Sequence, residues 1–227
     1  MQQHQPELRQ NDCPLCCDAA VYQYAKDRLR RYLQCRECCL VFVPQQFHLS
    51  PGDEREVYDQ HRNSPDDPGY RQFLSRLADP LLERLAPNSC GLDFGSGPGP
   101  TLSVMLAEQG HRMTLYDLYY APNEEALADR YDFVTSTEVV EHLAAPGREL
   151  MRLWALLKPG GWLGIMTKLV SDQGAFGSWH YKNDPTHISF FSAETFEHLA
   201  QRWGTRAEFL GKDVILMNKA LENPLKI

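Results

Sequence analysis

Residues Gly91-Leu92-Asp93-Phe94-Gly95-Ser96-Gly97-Pro98-Gly99-Pro100 restrict the fold of this chain more than any other stretch. A short apolar run feeds into glycines at every second position, and a helical pattern opens at Thr101. That order reads as a buried strand, a tight loop and a helix start, which together present bare backbone amides to a nucleotide-like ligand. Glycine is needed where the backbone turns with positive φ or touches a ligand without a Cβ in the way. The spacing also discriminates among ligands. A dinucleotide loop has Gly-x-Gly-x-x-Gly, its third glycine letting the helix close over a pyrophosphate, and here that position is Pro100. Proline suits the first turn of a helix, where its missing N–H would go unpaired anyway. The loop therefore fits a cofactor without a pyrophosphate.

Three more segments follow in order. Met113-Thr114-Leu115-Tyr116-Asp117 is an apolar strand ending in a carboxylate, and an acid about 20 residues past a glycine loop is placed to bind ribose hydroxyls. Tyr131 to Thr137 reads as a further strand, running into Glu138-Val139-Val140-Glu141-His142. Leu156-Leu157-Lys158-Pro159-Gly160-Gly161-Trp162-Leu163 reads as a helix end, a Pro-Gly-Gly turn and another strand. Over residues 69–218 this series resembles the class I S-adenosylmethionine-dependent methyltransferases. The resemblance implies that Gly95, Ser96, Gly97 and Gly99 cradle the cofactor, that Asp93 orients its amino group and that Asp117 takes its ribose hydroxyls. It also implies that the loop opened by Thr137 and Glu138 passes near the sulfonium. Strand-end capping is the plainer role for Asp93 and Asp117.

The fold class expected is α/β: a Rossmann-like class I methyltransferase sheet with a closing antiparallel hairpin at 206–217. One departure stands out. Only 14 residues separate Asp117 from Asp132, whereas a crossover connection alone takes about 10–12, so the third strand is expected to be short or missing. Ahead of the first strand, Phe73, Leu74, Leu77, Leu81, Leu82 and Leu85 follow helical spacing, broken or restarted at Asp79-Pro80. Ser192 opens a helix over 193–201.

Six of the seven cysteines fall within residues 13–39. Cys13-Pro14-Leu15-Cys16 and Cys35-Arg36-Glu37-Cys38 are two Cys-x-x-Cys knuckles 18 residues apart, a spacing that suits one structural Zn2+ bound by Cys13, Cys16, Cys35 and Cys38. Free thiols are the plainer alternative. Cys17 and Cys39 stand where zinc ribbons often carry glycine and are not expected to be ligands. With short strands at 21–24, 31–33 and 40–43, residues 1–44 read as a small N-terminal zinc ribbon. Residues 45–68, rich in Pro, Gln, Asp and Asn, read as a linker with one helical turn near Val57-Tyr58, and residues 69–227 as the methyltransferase domain. A net charge of −7 argues against nonspecific nucleic-acid binding. The absence of a membrane-length apolar run or a secretory leader points to the cytoplasm.

Residues 168–192 are too long for a simple connector and carry Trp179-His180-Tyr181-Lys182-Asn183-Asp184-Pro185-Thr186-His187. This is the expected lid over the methyl acceptor. Histidine is the side chain best poised to remove a proton near neutral pH, so His187, then His180, are the candidate bases, with Tyr181 and Asp184 positioning the acceptor. A histidine here also serves to anchor the loop through a backbone hydrogen bond, and both roles stay open. No metal-binding cluster is expected in the methyltransferase part, which disfavours catalysis by a divalent ion. The acceptor expected is a small molecule with an O, N or C nucleophile. An RNA or protein substrate gripped by Lys26, Arg28, Arg30, Arg31 and Arg36 of the ribbon, and a non-catalytic binding module, are the alternatives.

Overall fold

A computed structural model of the chain describes residues 12–60 and 63–221. Residues 1–5, on which the expectation about a secretory leader rests, and the ends of both outer domains lie outside the described residues. Six strands form the main sheet in the order β5-β4-β6-β7-β10-β9: β4 (Cys90–Phe94), β5 (Arg112–Tyr116), β6 (Tyr131–Thr137), β7 (Leu157–Met166), β9 (Ala207–Leu210) and β10 (Val214–Asn218). The first four are mutually parallel, and β10 runs antiparallel between β7 and β9.

Strand periodicity sorts the core into two layers. Successive side chains point to opposite faces, so Val214 and Leu216 pack on one side while Ile215 and Met217 pack on the other. The first side receives Leu74, Leu77, Ala78 and Leu81 of α2 (Pro68–Leu82) and Leu102 and Leu106 of α3 (Thr101–Glu108). The second receives Leu150, Leu153 and Leu156 of α4 (Pro146–Leu156) and Phe196 and Leu199 of α6 (Ala193–Trp203).

Between β5 and β6 the described residues contain no strand. Asp117 and Ala121 pair across a tight turn, and a single 3-10 turn over Glu124–Leu127 leads into β6. β5 is therefore the sheet edge. Three local readings need correction. Pro80 does not break α2, because it falls in the last turn and its absent N–H removes only one helix bond. The helix in the linker is not one turn but α1 (Pro51–Tyr58), opened by Ser50, whose hydroxyl accepts from Asp53 N, and by Pro51. The Pro-Gly-Gly segment lies inside β7, whose pairing with β6 shifts register between Tyr131 and Phe133.

The ribbon strands β1 (Val21–Lys26), β2 (Arg31–Cys35) and β3 (Val41–Phe42) continue into a fourth, β8 (Ser189–Phe190), contributed by the 168–192 segment. Val41 pairs with Phe190 and Phe42 with Ser189. A short helix, α5 (Gln173–Phe176), closes this layer, where Tyr24, Tyr32, Phe176, Tyr181 and Phe190 share one apolar cluster. No helix among the described residues is long and apolar enough to cross a membrane.

Candidate functional site

The loops that leave β4, β5 and β6 gather at the carboxyl ends of the parallel strands, where ligands bind in open α/β sheets. Gly95 has φ +78, and a Cβ there would lie 2.4 Å from Val139 Cγ2. Its N–H and that of Ser96 donate to the Tyr116 carbonyl at 2.7 and 3.3 Å, which ties the glycine loop to β5. Gly97 N donates to Asp117 Oδ2 at 2.9 Å, and Asp117 Oδ1 accepts from Tyr119 N and Tyr120 N. Asp117 thus holds the loop and its own turn together. Gly99 has a different reason to be glycine: the Asn63 carbonyl oxygen lies 2.1 Å from where a Cβ would be. The linker covers the loop at that point.

Asp93 is buried beneath the loop, its carboxylate accepting from Ser103 Oγ at 2.9 Å and Thr135 Oγ1 at 3.0 Å. Burial pushes its pKa up to about 6 against those two hydrogen bonds. Ser96 Oγ, Ser136 Oγ, Thr137 Oγ1 and Glu138 Oε1 are buried and have no hydrogen-bond partner. Orphaned polar atoms are uncommon in folded proteins, and a cluster of them marks a place where a ligand or water supplies the missing bonds. Three of the four belong to residues expected to hold the cofactor.

Glu138 and Glu141 lie on the loop after β6, Glu138 with the strained φ of +53. Burial, then the neighbouring Glu141, push the Glu138 carboxyl up to about 8. Glu141 is fully buried and raised for the same first reason. Its Oε1 accepts from Tyr181 Oη at 2.5 Å and its Oε2 from Thr167 Oγ1 at 2.9 Å. Because the folded-state pKa of Glu138 lies above its ordinary 4.5, the native state is unpenalised below that pH and loses stability as pH rises through about 8. Glu138→Gln is therefore expected to raise stability by about 2 kcal/mol at pH 8–9 and to change nothing near pH 4. Urea midpoints at the two pH values test this, and an equal gain at both would reject it.

His187 is buried, and its Nδ1 bonds the Tyr181 carbonyl at 2.7 Å, so Nδ1 carries the proton and Nε2 keeps its lone pair. Nε2 stands 3.8 Å from Asp184 Oδ2, and the ring lies against His142 and Tyr181. Burial, then His142, lower its pKa, which keeps the ring neutral. His180 differs: it is exposed, with Nε2 3.3 Å from Lys168 Nζ. The structure gathers Tyr181, His187, Glu141 and His142 and leaves His180 at the rim. His142 sits on a 3-10 turn, Val140–His142, with Nδ1 on the Thr186 carbonyl.

Glu141, His142 and His187 also bring ligand atoms within 4.8 Å of one another, an arrangement able to hold a metal ion. The expectation that this part of the chain has no such cluster is corrected here. Spacing along the chain hid it, since His187 is 45 residues beyond His142. The linker residues were missed as well. Tyr119 Oη donates to Glu54 and Tyr120 Oη to Asp59, while the Tyr58 ring meets those of Tyr119 and His142. The adjacent tyrosines after Asp117 were the available signal.

In the ribbon, Cys13 Sγ and Cys38 Sγ lie 3.4 Å apart, as do Cys16 Sγ and Cys35 Sγ, and all four fall within 4.8 Å of one another. Thiolates around one tetrahedral ion at ~2.3 Å stand about 3.8 Å apart, so the set fits a metal ion. Cys17 and Cys39 have φ of +66 and +59. That left-handed conformation is why glycine is common at these places. Of the basic ribbon residues, Lys26, Arg28, Arg31 and Arg36 are exposed, but Arg30 is buried and belongs to no surface patch.

Residues 67–207 match a family model described as a methyltransferase domain. A ubiquinone biosynthesis O-methyltransferase of Aeromonas salmonicida is 28% identical over 86 residues, which cover 38% of this chain. The matched stretch spans 36% of that relative's length. Among solved structures, a Burkholderia thailandensis 1,6-didemethyltoxoflavin-N1-methyltransferase, with 1,6-didemethyltoxoflavin and S-adenosylhomocysteine bound, aligns at a TM-score of 0.56 and 17% identity. That alignment covers 89% of this chain and all of the other. An O-methyltransferase family protein of the same organism aligns at 0.51 and 13% identity, over 74% of this chain and 63% of that one. These likenesses are of fold.

Proposed function

Since the chain belongs to the methyltransferase-domain family, we propose that it transfers a methyl group from S-adenosylmethionine to a small-molecule nucleophile. The observation that carries this reading is the set of orphaned buried atoms on Ser96, Thr137 and Glu138 at the glycine-loop end of the sheet. Together with Asp117, these residues would hold the cofactor, whose sulfonium supplies an already activated methyl carbon. The protein's remaining task is to hold the acceptor in line and to take its proton.

His187 suits the second part. With Nδ1 fixed on the Tyr181 carbonyl, a neutral ring offers Nε2 as a base, so anchoring the loop and accepting a proton use different nitrogens of one side chain. Tyr181, with its hydroxyl held by Glu141 and Thr167, shapes the wall beside it. Four thiolates, Cys13, Cys16, Cys35 and Cys38, hold one structural zinc ion. The small-molecule reading is favoured over RNA because Arg30 is withdrawn from the basic face and the chain as a whole is acidic.

Calorimetry with S-adenosylhomocysteine tests the donor site directly. One molecule is expected to bind per chain at about micromolar affinity, and no detectable binding would end the methyl-transfer reading. Incubating the enzyme with methyl-labelled cofactor and a metabolite or RNA extract would then identify the acceptor. Wild-type rates for both His187→Ala and His180→Gln would show that neither histidine is the base.

A further inference from the structure

Arg30 lies in the ribbon, yet nearly everything it binds is in the lid. Its Nη1 donates to the carbonyls of Pro185 and His187 at 3.2 and 2.9 Å, and Nη2 donates to those of Asp184, at 2.7 Å, and Lys182. Nε donates to Tyr32 Oη at 3.2 Å, and Tyr32 in turn donates to Asp27 at 2.8 Å. All five N–H groups of the guanidinium are used, and the side chain is buried. Lys182 Nζ, also buried, adds a 3.1 Å ion pair to Asp27 from the lid side.

A buried charge is costly unless hydrogen bonds replace the water it leaves. Here main-chain carbonyls replace it, drawn from a segment with little regular structure of its own. The Asp184 carbonyl also accepts from His187 N at 3.3 Å, and none of the four belongs to a strand ladder. We infer that Arg30 is a positioning residue for the acceptor site: its guanidinium fixes the main chain of residues 182–187 and, through it, Tyr181 and His187. The ribbon is then half of the acceptor wall rather than a separate docking module. A cavity of about 250 Å³ lined by Asp27, Arg30, Tyr32 and Lys182 borders this contact. The Arg30 N–H groups are all engaged by carbonyls and Tyr32, so the guanidinium has no donor left to offer a ligand there. Lysine cannot substitute for Arg30, because a point charge with three donors does not span four carbonyls arranged for a planar fork.

The inference rests on the methyl-transfer reading, in that the segment it fixes is the wall facing the acceptor, and the test separates the two. Hydrogen exchange would be followed in wild type, Arg30→Lys, Arg30→Ala and the exposed-residue control Arg28→Ala. In Arg30→Lys, amides of the 182–188 segment are expected to exchange at least about tenfold faster, with the main sheet unchanged and the control matching wild type. S-adenosylhomocysteine affinity should stay within about twofold, while labelled methyl transfer into the extract falls about 100-fold at unchanged KM for the methyl donor. Unchanged lid exchange in either folded Arg30 variant overturns the inference. So does a loss confined to donor affinity. Failure of wild type to bind S-adenosylhomocysteine would instead refute the methyl-donor reading, leaving the exchange result to judge Arg30 alone.

Discussion

Replacing Gly95 by alanine is expected to abolish binding of S-adenosylhomocysteine and to destabilise the protein by about 3 kcal/mol. Two costs combine. The backbone at φ +78 is unfavourable for any L side chain, and the new methyl group would fall 2.4 and 2.8 Å from the two Cγ atoms of Val139. The least strained escape moves the loop off Tyr116, breaking the bonds from Gly95 N and Ser96 N to that carbonyl. It also shifts Val139, which lies between Glu138 and the Val140–His142 turn. One methyl group disturbs both the glycine loop and the loop after β6. A displacement near 1 Å in such a site costs about 100-fold in function. Calorimetry checks the affinity and urea denaturation the stability. Adding Val139→Ala should recover part of the stability, since it removes the clash but not the positive φ. Wild-type affinity in Gly95→Ala would show that the loop does not form the donor site.

The second large effect concerns the four-cysteine cluster. Chelation or Cys38→Ser is expected to lower the metal content from one zinc ion per chain to none and the melting temperature by about 10 °C or more. The reason is where the knuckles pack. Cys13 and Cys38 are fully buried in the same apolar cluster as Leu150 and Phe196. The Pro14 carbonyl accepts from Gly147 N at 3.1 Å, and a Cβ on Gly147 would strike the Leu15 carbonyl oxygen at 2.1 Å. The first knuckle is seated on the start of α4. Loss of such an ion would therefore free more than the ribbon, because β3 holds β8 and Arg30 holds the carbonyls of residues 182–187. Elemental analysis of the purified chain is the check. If the native protein carries no metal and melts unchanged with chelator, the thiols are ordinary.

Much of this architecture was legible because it is written in local patterns. The strand, glycine loop and helix at 90–108 follow from apolar periodicity and glycine placement, and the shortened connection after Asp117 follows from counting residues. The knuckles follow from spacing alone. What escaped was tertiary. Arg30 looked like one more exposed cation on a hairpin, and nothing in its neighbours announces four lid carbonyls more than 150 residues away. The linker looked like a spacer because its composition is polar, yet α1 brings Tyr58 against His142, and Asn63 further along the linker lies against Gly99. The Glu141, His142 and His187 cluster exists only because the 168–192 segment packs onto the loop after β6, and Pro80 is tolerated because it falls in the last turn of α2, a position that spacing alone does not specify.

The pairing of β3 with β8 bears on how the chain folds during synthesis. Both cysteine knuckles precede β8 along the chain, so the edge of β3, carrying Val41 and Phe42, meets its partner only once Ser189 and Phe190 have themselves been made. Until then a hydrophobic strand edge stands open, a template for pairing with another chain. Such a long-range contact is slow to form and leaves nascent or truncated chains prone to aggregation. A fragment of residues 1–188 should consequently collect in inclusion bodies even with its four clustered cysteines intact, while residues 1–227 stay in solution.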